Sequence, residues 1–118
     1  MNINESIQEL HNVTGLPVSP DLYEGGEESY ITYTYIDEHV ALYGDDAPDY
    51  DELSIRVDLY TPPTMNYMNL KHQIRDYLET LGGVSSIGSW IDTYVSKGNL
   101  ETKKRHTSFE VYISQRRE

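Results

Sequence analysis

The sequence predicts an α+β domain of two layers, in which helices pack on a largely antiparallel β-sheet in the order helix, strand, strand, helix, strand, strand. Two observations lead to this fold class. Two pairs of segments alternate apolar and polar residues, and a segment between them repeats apolar residues every three or four positions. The 118 residues are enough for one core and too few for two. We therefore expect residues 1–118 to form a single domain.

The first element is predicted as a short amphipathic helix from Asn2 to Asn12. Ile3, Ile7 and Leu10 recur on one helical face, as expected for a helix that packs on a core. Residues 14–29 contain two prolines and a Gly-Gly pair, which favour an irregular linker.

The first pair of strands is predicted on either side of an acidic loop. "YITYTYIDE", residues 30–38, consists almost entirely of residues that favour strands, and "LSIRVDLYT", residues 53–61, alternates strictly. In the second of these, the aliphatic side chains point one way and Ser54, Arg56 and Asp58 the other. The two strands should form a long hairpin with an acidic loop at about 39–52.

The best helix in the sequence follows Pro62 and Pro63, over residues 67–81. Its apolar stripe consists of Tyr67, Leu70, Ile74, Tyr77, Leu78 and Leu81. The second pair of strands is predicted at 84–95 and 106–114, joined by a turn at 96–105. We expect the sheet and the helix to meet across one layer, formed by Leu53, Ile55, Val57 and Leu59 against Leu70, Ile74, Tyr77 and Leu78.

Charge is distributed unevenly along the chain. The net charge is -11; residues 1–60 hold 14 acidic residues against Arg56 alone, whereas residues 61–118 hold 6 acidic and 8 basic residues. So acidic a chain repels nucleic acid backbones. The absence of cysteine and the polar N-terminus predict a reduced, intracellular protein without a signal peptide. No apolar run in the sequence is long enough to predict a membrane span.

The sequence offers no motif for catalysis, metal binding or a cofactor. Counting an EF-hand loop from Asp45 places Tyr50 where glycine is needed and Arg56 where glutamate is needed. The four histidines have no partner at zinc-ligand spacing. Tyr33 and Tyr35 stand beside acids rather than the basic residues that base stacking requires. We therefore predict no enzyme, and interpret these two tyrosines as part of a sheet wall whose hydroxyl ends are available for protein contacts.

The succession of motifs resembles the tail-completion, or tail terminator, proteins of long-tailed bacteriophages and prophages. The resemblance lies in "TGLPV" at 14–18, "YITYTY", "IRVDLYT", "LKHQIRDYLETLGG", and a histidine that leads into the last strand in "RHTSFEVYIS". It extends from about residue 5 to 115. The segment 45–52 is more acidic than the family leads one to expect.

The resemblance implies a structural α+β subunit with no catalytic residue. Such a subunit forms a ring, expected to be a hexamer, on the head-proximal end of the tail tube. It contacts the major tail tube protein and the head-completion or connector protein, while DNA passes through without being specifically bound. It assembles in the host cytoplasm and ends in the neck of the virion. The alternatives are a head-completion protein of the same neck region and an acidic inhibitor that mimics DNA.

A ring of identical subunits needs two unlike surfaces on each subunit. The sequence supplies an acidic hairpin tip and a basic turn as candidates, with Tyr33 and Tyr35 as further contact residues. The acidic tip is Asp45, Asp46, Asp49, Asp51 and Glu52, and the basic turn is Lys97, Lys103, Lys104 and Arg105. We expect these two patches to face each other between neighbouring subunits, or the basic turn to meet the tail tube protein.

Overall fold

A computed structural model describes residues 3–41, 50–95 and 101–116 of the chain and confirms the α+β class. Three helices and five strands are present in these ranges. In chain order they are α1 (Ile3–Gln8), α2 (Leu10–Thr14), β1 (Val18–Pro20), β2 (Tyr30–Ala41), β3 (Tyr50–Thr61), α3 (Met68–Leu81), β4 (Val84–Val95) and β5 (Glu101–Arg116). None of the helices in the described part of the chain has the length and apolar character that a membrane crossing requires.

The strands form one sheet in the order β1-β2-β3-β5-β4. The hairpins β2–β3 and β4–β5 are both antiparallel, as predicted. They are joined because β5 pairs antiparallel with the whole length of β3, from Tyr50 opposite Arg116 to Thr61 opposite Arg105. The last strand in sequence therefore lies inside the sheet, and β4 forms its edge.

The core lies between the helices and one face of the sheet. Leu53, Ile55, Val57 and Leu59 of β3 are buried, and they share one apolar cluster with Ile74 and Leu78 of α3. Leu70 and Tyr77 pack at its margin. The predicted layer between β3 and α3 is therefore confirmed.

Other elements complete this core from both ends of the chain. β5 contributes Phe109, Val111 and Ile113, and the N-terminal helices contribute Ile3, Ile7 and Leu10. Gly82, at the end of α3, allows the chain to pass close to β5, because a Cβ there would lie 2.7 Å from Ile113 Cγ1 and from the Tyr112 carbonyl oxygen.

The N-terminal region differs from the prediction in two ways. The single helix expected over 2–12 is two short helices that meet at Glu9, and Gly15 ends the second one in a left-handed conformation with φ 78°. The expected linker contains β1, which pairs parallel with β2 from Val18 opposite Ile31 to Pro20 opposite Tyr33. A strand with a proline is possible here because β1 lies at the edge of the sheet.

The strands are longer than the sequence indicated. β2 continues to Ala41 and β3 begins at Tyr50, so both strands extend into the range 39–52 that was expected to be loop. Likewise β5 begins at Glu101, and Lys103, Lys104 and Arg105 lie in a strand rather than in a turn. Hydrogen bonding to a neighbouring strand sustains an extended chain even where local propensity is poor.

Candidate functional site

The face of the sheet opposite the core carries Arg56, Asp58 and Tyr60 of β3. Side chains alternate along a strand, so this face receives the residues between the buried aliphatic ones. The register places Tyr30 of β2 and His106 of β5 directly beside Tyr60, with Trp90 of β4 beside His106. We call this the open face.

A row of aromatic rings crosses the open face. The ring centroids of Tyr30 and Tyr60 lie 4.9 Å apart, those of Tyr60 and His106 4.4 Å, and those of His106 and Trp90 4.4 Å. Tyr23 stacks on Tyr30 and extends the row by one ring, at 4.5 Å. Two stacked pairs and the tilted pair of Trp90 and His106 thus connect four strands. Cross-strand contacts of this kind stabilise a sheet by about 0.2–1 kcal/mol each.

His106 lies at the centre of this row and binds two carboxylates. Its Nε2 is 2.7 Å from Asp58 Oδ1, and its Nδ1 is 2.8 Å from Asp92 Oδ2. An ionised carboxylate only accepts hydrogen bonds, so both ring nitrogens must donate, and this requires the protonated imidazolium. Arg56 donates from Nε to the other oxygen of Asp58 at 3.1 Å.

The environment shifts the pKa of both members of the buried pair. Burial by itself lowers the pKa of His106, but hydrogen bonds to Asp58 and Asp92 and their negative charges outweigh it, and the net pKa is raised. Burial by itself raises the pKa of Asp58, yet the hydrogen bond from His106, with Arg56 and Ser108, holds it below its usual value. Asp58 is only 2% exposed and His106 8%, so both charges are retained in a place where an unpaired charge would be costly.

This arrangement stabilises the sheet and is poorly suited to catalysis. A histidine with both nitrogens held by carboxylates has no nitrogen left to accept a proton from a nucleophile or to bind a metal. Among the described residues, no group of three or more histidines and carboxylates is arranged to hold a metal ion.

The structure divides the predicted basic patch between the two faces of the sheet. Lys104 lies on the open face, where its ammonium donates to the Glu28 carbonyl and stands 4.9 Å from the centroid of the Tyr30 ring. Arg105 points to the other face and stacks over Tyr67 at 4.4 Å. Only Lys103 of these three is exposed. Alternation along β5 therefore separates residues that are adjacent in sequence. Lys97 lies outside the described residues.

The predicted acidic patch is described only in part. Asp45, Asp46 and Asp49 lie outside the described residues, and Asp51 and Glu52 belong to β3. Glu52 accepts a hydrogen bond from the Tyr112 hydroxyl.

The two predicted tyrosines lie on the helix-covered face. Tyr33 is 3% exposed, and its hydroxyl accepts a hydrogen bond from Gln8 Nε2 at 3.1 Å. Tyr33 is therefore part of the core, because its register opposite Val57 turns it towards the helices. Tyr35 is 40% exposed, and its hydroxyl donates to Asn4 Oδ1 at 2.7 Å.

Sequence reasoning missed the cluster on the open face. Asp58 and His106 are 48 positions apart, and neither has a local partner that would single it out. One signal was present: an acidic residue in the middle of the cleanest predicted strand, between Val57 and Leu59, needs a partner if that strand is buried on both sides.

No protein-family model and no curated protein matches this chain. Among solved structures, it is similar to a chain in the virion of a native gene transfer agent particle, with a TM-score of 0.45 and 11% sequence identity over 95% of this chain and 91% of that chain. An identity and a TM-score of this size assign the chain neither a family nor a role.

Proposed function

We propose that the chain is a structural subunit of a phage or prophage particle, which caps the head-proximal end of the tail tube as a ring and helps to join tail to head. The proposal comes from the resemblance in the sequence, and one observation in the structure carries it. Motifs that define the resemblance converge on one cluster. "YITYTY" supplies Tyr30, "IRVDLYT" supplies Asp58 and Tyr60, and "RHTSFEVYIS" supplies His106.

The chemistry of this cluster supports a structural role. The charged atoms of His106 and Asp58 bind one another, Asp92 or Arg56 at 2.7–3.1 Å, and their burial leaves little surface for a substrate. Such a cluster fixes the pairing of β3 with β5 and the position of β4 beside them. A subunit that must hold its shape within a ring needs this rigidity more than it needs a reactive group.

The same cluster weighs against the alternative in which the chain mimics DNA. A mimic presents its carboxylates outwards on one surface, whereas Asp58 and Asp92 bind His106 on the open face. The acidic half of the chain is better suited to a channel through which DNA passes, because like charges do not retain it.

Deletion of the gene from the particle-producing strain tests the proposal. We expect free heads beside tails of uncontrolled length in electron micrographs, and purified protein added to the lysate should restore joined particles. Tails of normal length that fail to join would instead indicate a head-completion protein. Normal particles in the deletion strain would refute both roles.

A further inference from the structure

Two buried polar atoms of the described residues have no hydrogen-bond partner, and they belong to residues that face each other. They are Thr61 Oγ1 of β3 and Arg105 Nε of β5. Thr61 lies directly opposite Arg105 in the register of the two strands, so both side chains leave the sheet on the same face. Thr61 is fully buried. Buried polar groups in folded proteins are almost always paired, and two adjacent exceptions therefore need an explanation.

The guanidinium of Arg105 also lacks a counter-charge. Among the described side chains, no carboxylate forms an ion pair with it, although the chain carries 20 acidic residues. Its contacts are the Tyr67 ring, whose centroid is 4.4 Å from Cζ, and a long hydrogen bond from Nη1 to Ser89 Oγ at 3.5 Å. Most of its N–H donors are therefore left without an acceptor from the described part of the chain.

The surroundings of Arg105 are open on the side of β4. Ser89 and Ile91 of this strand are both exposed, and the register places Ile91 directly beside Arg105. Thr107 donates to Ser89 Oγ at 3.4 Å, which adds two hydroxyl groups to the polar surroundings of the guanidinium. A ligand that approaches across β4 thus meets a cation, hydroxyl groups and the apolar side chain of Ile91.

Tyr67 covers the guanidinium from the other side. It is the half-buried residue at which α3 begins, and its side chain has no hydrogen bond to any described residue. Because stacking alone holds the ring, rotation about χ1 moves it aside without any change in the backbone of α3. This rotation gives a ligand access to Arg105 Nε.

We propose that Arg105 and Thr61 form a binding site for a carboxylate, which is supplied by an acidic side chain of a partner protein. A carboxylate accepts two parallel hydrogen bonds from Nε and Nη2 of one guanidinium, and its remaining lone pairs accept the hydroxyl of Thr61. It thus supplies the acceptor and the negative charge that these two residues lack.

The residues around the site favour a protein as the source of the carboxylate. Arginine and tyrosine are the residues that most often dominate the energy of protein contacts, and here Tyr67 stacks on Arg105. Ile91, which is 43% exposed, offers an apolar contact to the hydrocarbon part of the incoming side chain. The site is argued from these contacts alone and does not rest on the proposed function.

The Nε–H signal of Arg105 in proton–nitrogen correlation spectra reports directly on the site. The probe is N-acetylglutamate α-amide, whose only charge is its side-chain carboxylate. Titration to about 100 mM at constant ionic strength should move the signal along a saturating curve, whereas the corresponding glutamine compound should leave it in place. Arg75 is the matched control, because its side chain is 44% exposed and its Nε already faces Glu79 at 3.9 Å, so its signal should not follow a saturating curve.

Two substitutions separate binding from a structural role. Thr61→Val should weaken binding at least ~3-fold, yet leave the melting temperature unchanged or higher, because it removes a buried hydroxyl that has no partner. Arg105→Lys keeps the charge but loses the planar pair of donors, and should weaken binding at least ~10-fold, as followed on the backbone amides of Ser89 and Ile91. Arg75→Lys should bind like the wild type within about twofold.

Four results would overturn the proposal. One is an Arg105 signal that does not respond to the glutamate compound. Another is binding of inorganic phosphate that is at least as tight, which would identify a free anion as the ligand. A signal that moves with protein concentration alone would identify a second copy as the partner. A lower melting temperature of Thr61→Val would show that the hydroxyl has a structural role. The assay contains no phage particles, so its outcome is independent of the deletion experiment.

Discussion

The buried pair of Asp58 and His106 leads to a quantitative prediction about stability. Asp58→Asn preserves the size of the side chain but removes the negative charge that faces His106 Nε2 at 2.7 Å and Arg56 Nε at 3.1 Å. Removing one partner of a buried ion pair costs about 3–5 kcal/mol, because the other charge is left uncompensated. Asparagine retains one acceptor and Asp92 still binds Nδ1, so we expect the low end, about 3 kcal/mol.

Chemical and thermal unfolding measure this loss. For a domain of this size, 1 kcal/mol corresponds to roughly 4 °C, so the melting temperature of Asp58→Asn should fall by about 12 °C. Asp76→Asn is the matched control, because the Asp76 side chain is 69% exposed and its distance to Arg75 is 3.8 Å. That variant should change the free energy of unfolding by less than about 0.5 kcal/mol.

The same pair makes stability depend on pH in a defined direction. The pKa of His106 is raised in the folded state. Its contribution to the free energy of unfolding is therefore fully present below its ordinary pKa of 6.5 and is lost as the pH rises through the raised pKa. The folded pKa of Asp58 is lowered, so its contribution is present above 3.8 and is lost as the pH falls through the folded pKa. The difference in the free energy of unfolding between the wild type and Asp58→Asn should therefore be largest between pH 3.8 and pH 6.5 and should shrink at alkaline pH. A difference below about 1 kcal/mol at pH 6, or one that grows towards alkaline pH, would contradict the charged pair.

Three further predictions concern the core, metal binding and the exposed charge. Ile74→Ala should lower the free energy of unfolding by about 2–5 kcal/mol in urea titrations, because Ile74 is fully buried against the sheet. Met68→Ala, on the exposed side of α3, is the control and should change the free energy of unfolding by less than about 0.5 kcal/mol. Equal effects of the two substitutions would refute the packing of α3 on β3. Calcium or zinc at millimolar order should leave the melting temperature unchanged, and a concentration-dependent rise would identify a binding site. Lys103→Glu should leave the melting temperature unchanged but reduce joining of heads to tails, and joining at normal yield would refute a role for its charge. Lys104 and Arg105 are left unchanged because they have contacts within the chain and would confound the test. If a second change of Asp45, Asp46 and Asp49 to Lys restores joining, the two patches pair with each other.

The sequence by itself determined the elements whose signal is local. Alternation along Leu53, Ile55, Val57 and Leu59 identified a strand and its buried face, because the side-chain period of a strand is two residues. The three- to four-residue spacing around Ile74 and Leu78 identified α3 in the same way. Both patterns report burial, and burial of apolar side chains is the largest favourable contribution to folding.

Tertiary structure decided everything that depends on pairing between distant segments. The register of β3 with β5 brings His106 beside Tyr60 and within reach of Asp58, and that register is set by hydrogen bonds between strands that are far apart in sequence. The same pairing extends β5 back through Lys103, Lys104 and Arg105 and assigns their side chains to alternate faces. The cluster on the open face and the division of the basic patch follow from strand order. No periodicity within a single segment encodes strand order, because neighbours in a sheet are chosen by the packing of the whole domain.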